Sequence, residues 1–173
     1  MAYNEGASSG NLVLIQKQTA SNSASIEFKT GISGFSTVLF VYENVIPGTD
    51  VSYLHVVVSN DGGASYVVTN YTAGCKYIQW DAVIWANTSE ATQFDLTTSM
   101  PSAGIGTSGS FHAVNVGIAA NCQFYGMGTF PASAASQMQC VNGGSVATNS
   151  VNAFKFAFNA GNIASGTFKL YGV

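Results

Sequence analysis

Hydrophobic and polar residues alternate with a period of two along most of the chain, and clusters of turn-forming residues cut the alternation into short lengths. The clearest case lies near the end. Phe154, Phe156 and Phe158 alternate with Ala153, Lys155 and Ala157, Asn159-Ala160-Gly161-Asn162 supplies a turn, and Phe168 and Leu170 alternate with Thr167, Lys169 and Tyr171. The spacing predicts an antiparallel pair closing a β-sandwich.

Earlier segments repeat the pattern. Leu12-Val13-Leu14-Ile15 is a continuous apolar run, read as a strand entering a buried position, and Ile26 and Phe28 are the inward residues of the next strand. Val38-Leu39-Phe40-Val41-Tyr42 is strongly β-prone and stops at Pro47-Gly48-Thr49-Asp50. Leu54, Val56 and Val58 share a face; Asn60-Asp61-Gly62-Gly63 then predicts a hairpin with Ser65 to Thr69 returning beside the preceding strand. Lys76 to Trp85 reads as one strand with Trp80 inward and Trp85 outward. Gln93 to Thr97 is a short strand, Ser99 to Ser110 a loop. Phe111 to Ala119, Cys122 to Phe130 and Ala134 to Val141 complete the set, with Asn142-Gly143-Gly144 as a turn. No helical periodicity is sustained. Turn signals about every 8 to 12 residues predict an all-β, antiparallel, jelly-roll-like β-sandwich, a single domain over residues 11–173 behind a short N-terminal arm, residues 1–10.

Composition narrows the partners. Only 8% of the residues are charged, against roughly 25% in ordinary soluble proteins, so Ser, Thr, Asn, Gln and Gly must cover the surface. Such a surface repels neighbours weakly and suits a subunit that sits against copies of itself or a larger assembly. Five basic residues, all lysine, and a net charge of −3 argue against nucleic acid, whose binding draws on many phosphate contacts. Met1-Ala2-Tyr3-Asn4-Glu5 has neither the basic start nor the apolar run of a signal peptide, and no stretch approaches the about 18 apolar residues of a membrane span, so synthesis in the cytosol without membrane insertion is expected. Cys75, Cys122 and Cys140 lack metal-ligand spacing and read as reduced, buried thiols, with a Cys122–Cys140 bridge as the alternative.

No catalytic motif stands out. His55 and His112 lie within predicted strands without a second ligand nearby, and read as satisfied sheet histidines. The acidic residues include no pair whose separation the sequence defines, and there is no nucleophile elbow. Asp61 beside two glycines reads as a turn rather than a calcium loop, and no cofactor is expected. Asn70-Tyr71-Thr72 and Asn87-Thr88-Ser89 match glycosylation acceptors by coincidence in so Asn- and Thr-rich a chain. Tyr66, Tyr71, Tyr77 and Trp85 form the candidate contact set: aromatic faces near Asn, Gln and Asp could stack on a glycan, although sheet-face or subunit-interface packing is the favoured reading. Tyr3, Asn4 and Glu5 mark the arm as a candidate attachment to a larger particle.

Leu12 to Phe28 with its Gln18-Thr19-Ala20-Ser21 step, Phe40 to Pro47, Val58 to Tyr66 and the closing Gly166-Thr167-Phe168-Lys169-Leu170-Tyr171-Gly172-Val173 together resemble a family of tailed-bacteriophage virion proteins. These are β-sandwich modules found alone or at the ends of tail fibres. The resemblance covers about half of the chain; residues 72–150 depart from it. It implies a non-enzymatic structural protein of the virion, made in the host cytoplasm and assembling as a homo-oligomer, with a trimer favoured. A capsid decoration or cement protein contacting the major capsid protein is the leading expectation, because no fibre shaft precedes the sandwich. A tail-fibre or receptor-binding module recognising host surface glycan is the alternative, and an enzyme acting on polysaccharide a distant third.

Overall fold

The computed structural model describes residues 12–79, 82–86, 92–102, 104–133 and 136–173, with backbone alone for 74–79, 82–86, 132–133 and 136–138. The strands are β1 (Val13–Ser23), β2 (Ile26–Phe28), β3 (Thr37–Pro47), β4 (Leu54–Ser59), β5 (Tyr71–Gln79), β6 (Ala82–Ala86), β7 (Phe94–Asp95), β8 (Thr107–Val114), β9 (Cys122–Ser133), β10 (Ser136–Val146), β11 (Ala153–Phe158) and β12 (Ile163–Gly172). They form an eight-stranded sheet in the order β1-β12-β3-β8-β9-β10-β5-β6 and a four-stranded sheet in the order β2-β11-β4-β7, antiparallel throughout.

Eight of these strands trace a jelly roll. β1-β12-β3-β8 faces β2-β11-β4-β7, and among these eight strands the chain changes sheet at every step except from β4 to β7, which pair with each other, the wrapping of a doubled Greek key. The other four are two hairpin excursions, β5/β6 between β4 and β7 and β9/β10 between β8 and β11, and both widen the first sheet beyond β8. The fold is therefore the antiparallel, all-β sandwich that the alternation predicts. The arm, with Tyr3, Asn4 and Glu5, lies outside the described residues.

Phenylalanines from the inner faces of both sheets hold the layers together. Phe40 of β3 lies 5.4 Å from Phe28, 5.0 Å from Phe111, 4.8 Å from Phe154 and 5.2 Å from Phe156, measured between ring centroids. Phe156 in turn meets Phe168 at 5.1 Å, and Phe94 stacks on Phe124 at 4.8 Å. Offset and edge-on rings at these separations attract beyond the gain from removing their area from water. The tyrosine of β3 needs a special accommodation: Tyr42 is 1% exposed, and a Cβ at either Gly109 or Gly128 would collide with its hydroxyl.

Several local expectations give way to this arrangement. The two closing strands do not pair: β11 lies between β2 and β4, whereas β12 lies between β1 and β3. Both present phenylalanines inward, so the turn between them carries the chain across the sandwich, and Phe156 and Phe168 meet across the layer with their planes tilted by 50°. The apolar run at Leu12–Ile15 is not buried but opens the sheet edge, with Leu12, Val13 and Leu14 about half exposed and only Ile15 turned to the core. Lys76 to Trp85 is not one strand; it is the end of β5 and the start of β6, paired Tyr77 to Ile84 and Lys76 to Trp85. Trp80 falls outside the described residues. Asn142-Gly143-Gly144 is mid-strand in β10, where a Cβ at Gly144 would press on the β5 backbone. The segment after Gly63 returns beside β4 for one backbone bond, Val67 N–H to the Val58 carbonyl at 2.8 Å, and forms no strand. The loop before β8 ends at Gly106, and Thr107 begins that strand.

Cys122 and Cys140 are both free and buried. Cys122 pairs with Val146 and Cys140 with Gly128 on the β9/β10 ladder, which puts them about 20 Å apart along the strands. No bridge between them is feasible.

Phe40→Ala should cost about 3–5 kcal/mol of unfolding free energy, since it empties the site where rings from both sheets converge. Chemical denaturation measures this, and Leu14→Ala at the exposed edge should stay within about 0.5 kcal/mol of the parent.

Candidate functional site

The outer face of the eight-stranded sheet carries apolar residues in register across adjoining strands. Leu14, Tyr171, Leu39, His112 and Tyr125 stand opposite one another in one row through β1, β12, β3, β8 and β9. Lys169, Val41, Ser110, Met127 and Val141 form the next row, from β12 to β10. Their inward neighbours Phe168, Leu170, Phe40, Phe111 and Phe124 are buried, so alternation alone sends these side chains outward. Tyr125, Met127 and Val141 are 52%, 55% and 44% exposed. His112 lies flat on Tyr125, 4.8 Å between centroids with 11° between the planes, which fixes both rings as one broad surface.

Lysines stand at both ends of the second row, Lys17 opposite Lys169 on β1 and Lys76 opposite Val141 on β5. Lys169 donates to Glu43 at 2.7 Å, satisfying both groups within the chain. An outward sheet face bearing tyrosine, methionine and branched aliphatics, with its ion pair already internal, has the composition of an interface core. The sequence held a signal for it. Val38-Leu39-Phe40-Val41-Tyr42 is apolar at odd and even positions alike, which a strand with one solvated face does not need.

The aromatic candidates do not gather into a site. Tyr71 is 5% exposed, a correction to its reading as a contact residue. It opens β5 and turns inward, where its hydroxyl accepts the Val58 N–H at 2.9 Å and donates to the Val67 carbonyl at 3.1 Å. The hydroxyl thus serves a stretch of β4 that two-residue β7 leaves uncovered. Tyr66 is half-buried on the outer side of the four-stranded sheet, with the Lys155 ammonium 4.2 Å from its ring centroid. A cation on that face closes it to a sugar ring. Burial first, and then the nearby Glu27 carboxylate, raise the Tyr66 hydroxyl above its ordinary pKa. Glu27 itself is ion-paired with Lys29 at 2.5 Å. Tyr77 and Trp85 have positions on the β5/β6 ladder, and their side chains lie outside the described residues.

Among the described residues, two buried thiols are held inert. Burial pushes the Cys122 thiol up to about 12, so it stays protonated and unreactive at neutral pH. Cys140 donates its thiol to the Leu96 carbonyl at 3.1 Å. Among the described residues no three His, Cys, Asp or Glu side chains stand together to hold a metal. His55 differs from the satisfied sheet histidine expected: its Nδ1 is buried without a hydrogen-bond partner. Burial first, then the Lys155 charge, push its pKa down from 6.5 to about 4. No protein-family model matches the chain, and no curated protein sequence matches it.

His55 makes the fold sensitive to acid. The unfolded chain takes up this proton near pH 6.5 and the folded chain only near 4, so stability from this group is full above the upper value and falls as pH drops through the window. The loss reaches about 3 kcal/mol at its lower end. Denaturant melts at pH 7 and pH 4.5 should differ less for His55→Gln than for the parent.

Proposed function

We propose that this chain is a non-enzymatic structural protein of a bacteriophage particle, a capsid decoration or cement protein that assembles as a homotrimer through the outer face of its eight-stranded sheet. The observation that carries the reading is the apolar stripe of Leu39, Val41, Tyr125, Met127, Val141 and Tyr171 on a surface otherwise poor in charge. Leaving these side chains in water is unfavourable, and a second copy seated between the lysines at the two ends of the row covers them. The likeness of Leu12–Phe28, Phe40–Pro47, Val58–Tyr66 and Gly166–Val173 to phage virion sandwiches supports a virion protein, and the lean to the head rests on the sandwich standing almost alone.

A decoration protein gains from this design. Closed symmetry makes each subunit's contact count on both sides, and several subunits gripping the major capsid protein together hold far longer than one alone. Phenylalanine packing between the two sheets supplies the stability of each subunit. The tail-fibre reading remains a separate proposal, distinguished by how many copies the particle carries.

Met127→Glu places a charge in the middle of the proposed contact. It should shift the sedimentation mass from trimer to monomer while leaving monomer stability within about 0.5 kcal/mol, as expected for an exposed position; an unchanged trimer would remove this face from the assembly. In purified particles, quantitative mass spectrometry against the major capsid protein should give hundreds of copies per virion. A handful to a few tens would move the protein to the tail, and none would end the virion reading.

A further inference from the structure

At one end of the sandwich the β2–β3, β8–β9 and β10–β11 loops, with Gly62 from the β4–β5 loop, enclose a cleft of about 840 Å³. That is within the about 300–1,000 Å³ of small-molecule sites. We propose that this cleft binds a neutral oligosaccharide. The inference goes beyond the assembly reading and does not rest on it, because the cleft belongs to the loops and the apolar stripe to the sheet.

The walls are tied to one another. Val116 N–H donates to the Ser36 carbonyl at 3.0 Å, Gly117 N–H to the Val151 carbonyl at 2.8 Å and Ser150 N–H to the Ile118 carbonyl at 2.8 Å. Asn152 closes the fourth side: its Oδ1 accepts the Gly62 N–H at 2.8 Å and its Nδ2 donates to the Asn60 carbonyl at 3.1 Å. Next to that wall the Asp61 carboxylate accepts the Ser65 N–H and the Ser59 and Ser65 hydroxyls, and these hydrogen bonds, the Ser59 one foremost, hold its pKa well below the usual carboxylate range. A cleft framed in this way exists before its ligand arrives, which lowers the ordering cost of binding.

The lining decides the class of ligand. The half-buried Phe35 and the 43% exposed Ile118 make an apolar floor, backed from beneath by the buried Ile32, Val116 and Val151. Thr30, Ser33 and Ser150 place hydroxyls around that floor. Lys29 is the one charged residue of the lining, and Glu27 already neutralises it at 2.5 Å. A phosphate or other anion therefore finds no free cation, and an ordinary apolar molecule would leave the hydroxyl rim unpaired. A sugar satisfies both parts, laying its C–H face on Phe35 and Ile118 and offering hydroxyls to the serines. A side chain at Gly34 or Gly117 would meet nothing within 4 Å, so the cleft is open enough for a chain of sugars to run across it.

The test uses the full chain on an array of neutral and acidic oligosaccharides built from hexoses, N-acetylhexosamines and 6-deoxyhexoses, followed by calorimetry with the strongest neutral binder. Ser33→Trp, which fills the mouth, and Ile118→Asp, which charges the floor, should each weaken binding by at least about tenfold, the loss expected when a central contact is blocked. Their melting temperatures should match the parent, since both positions are exposed. Lys29→Gln should change affinity by less than about threefold, as the loss of a pair already neutralised implies. A blank array, binding to acidic glycans alone, or affinity indifferent to both cleft variants would overturn the proposal. Oligomeric mass and particle copy number are read separately, so failure here leaves the assembly reading standing and failure there leaves this one.

Discussion

The contact of Phe40 with rings from both layers is the constraint on which the rest of the sandwich depends. β3 brings it from one sheet, and β2 and β11 bring Phe28, Phe154 and Phe156 from the other. With so few charges and no covalent staple described, this aromatic layer is where the fold resists unfolding. It also dictates topology: consecutive strands with inward phenylalanines serve better across the layer than beside each other, and so the chain crosses over after β11 instead of forming a hairpin.

That preference explains what the sequence could and could not disclose. Alternation along Ala153–Phe158 and Gly166–Tyr171 defines which residues turn inward, because the period of a strand is local. It does not say which strand lies beside which, because pairing is set by contacts far apart in the chain. Asn142-Gly143-Gly144 misleads for a related reason. The residues that make good turns are also those that let strands approach closely, and here Asn142 is 3% exposed with its amide donating to the Leu96 carbonyl at 2.9 Å. The exposed edge at Leu12–Leu14 misleads by composition, since a run of aliphatics looks the same whether it is covered by its own domain or left for a neighbour.

The candidate site was less legible still. Tyr71 and Tyr66 differ in the sequence only by context, yet one hydroxyl completes a backbone hydrogen-bond pattern inside the protein and the other ring lies beneath a lysine. The outward stripe needed the register of five strands before Leu14, Tyr171, Leu39 and Tyr125 fell into one row. The loop-end cleft needed the pairing of four loops. Neither has a local signature, because each is made by bringing together residues that are individually ordinary.

The sheet order also records a hierarchy of construction. The β9/β10 hairpin leans directly on β8 of the jelly roll, whereas β5/β6 reaches the sheet only through β10. Removing β5/β6 would take a partner from β10 alone, but removing β9/β10 would leave β5/β6 with nothing to pair against. The outer hairpin is therefore an addition upon an addition. Beyond Tyr71, whose hydroxyl serves β4, it is the natural place for such a scaffold to vary its length without disturbing the eight strands beneath.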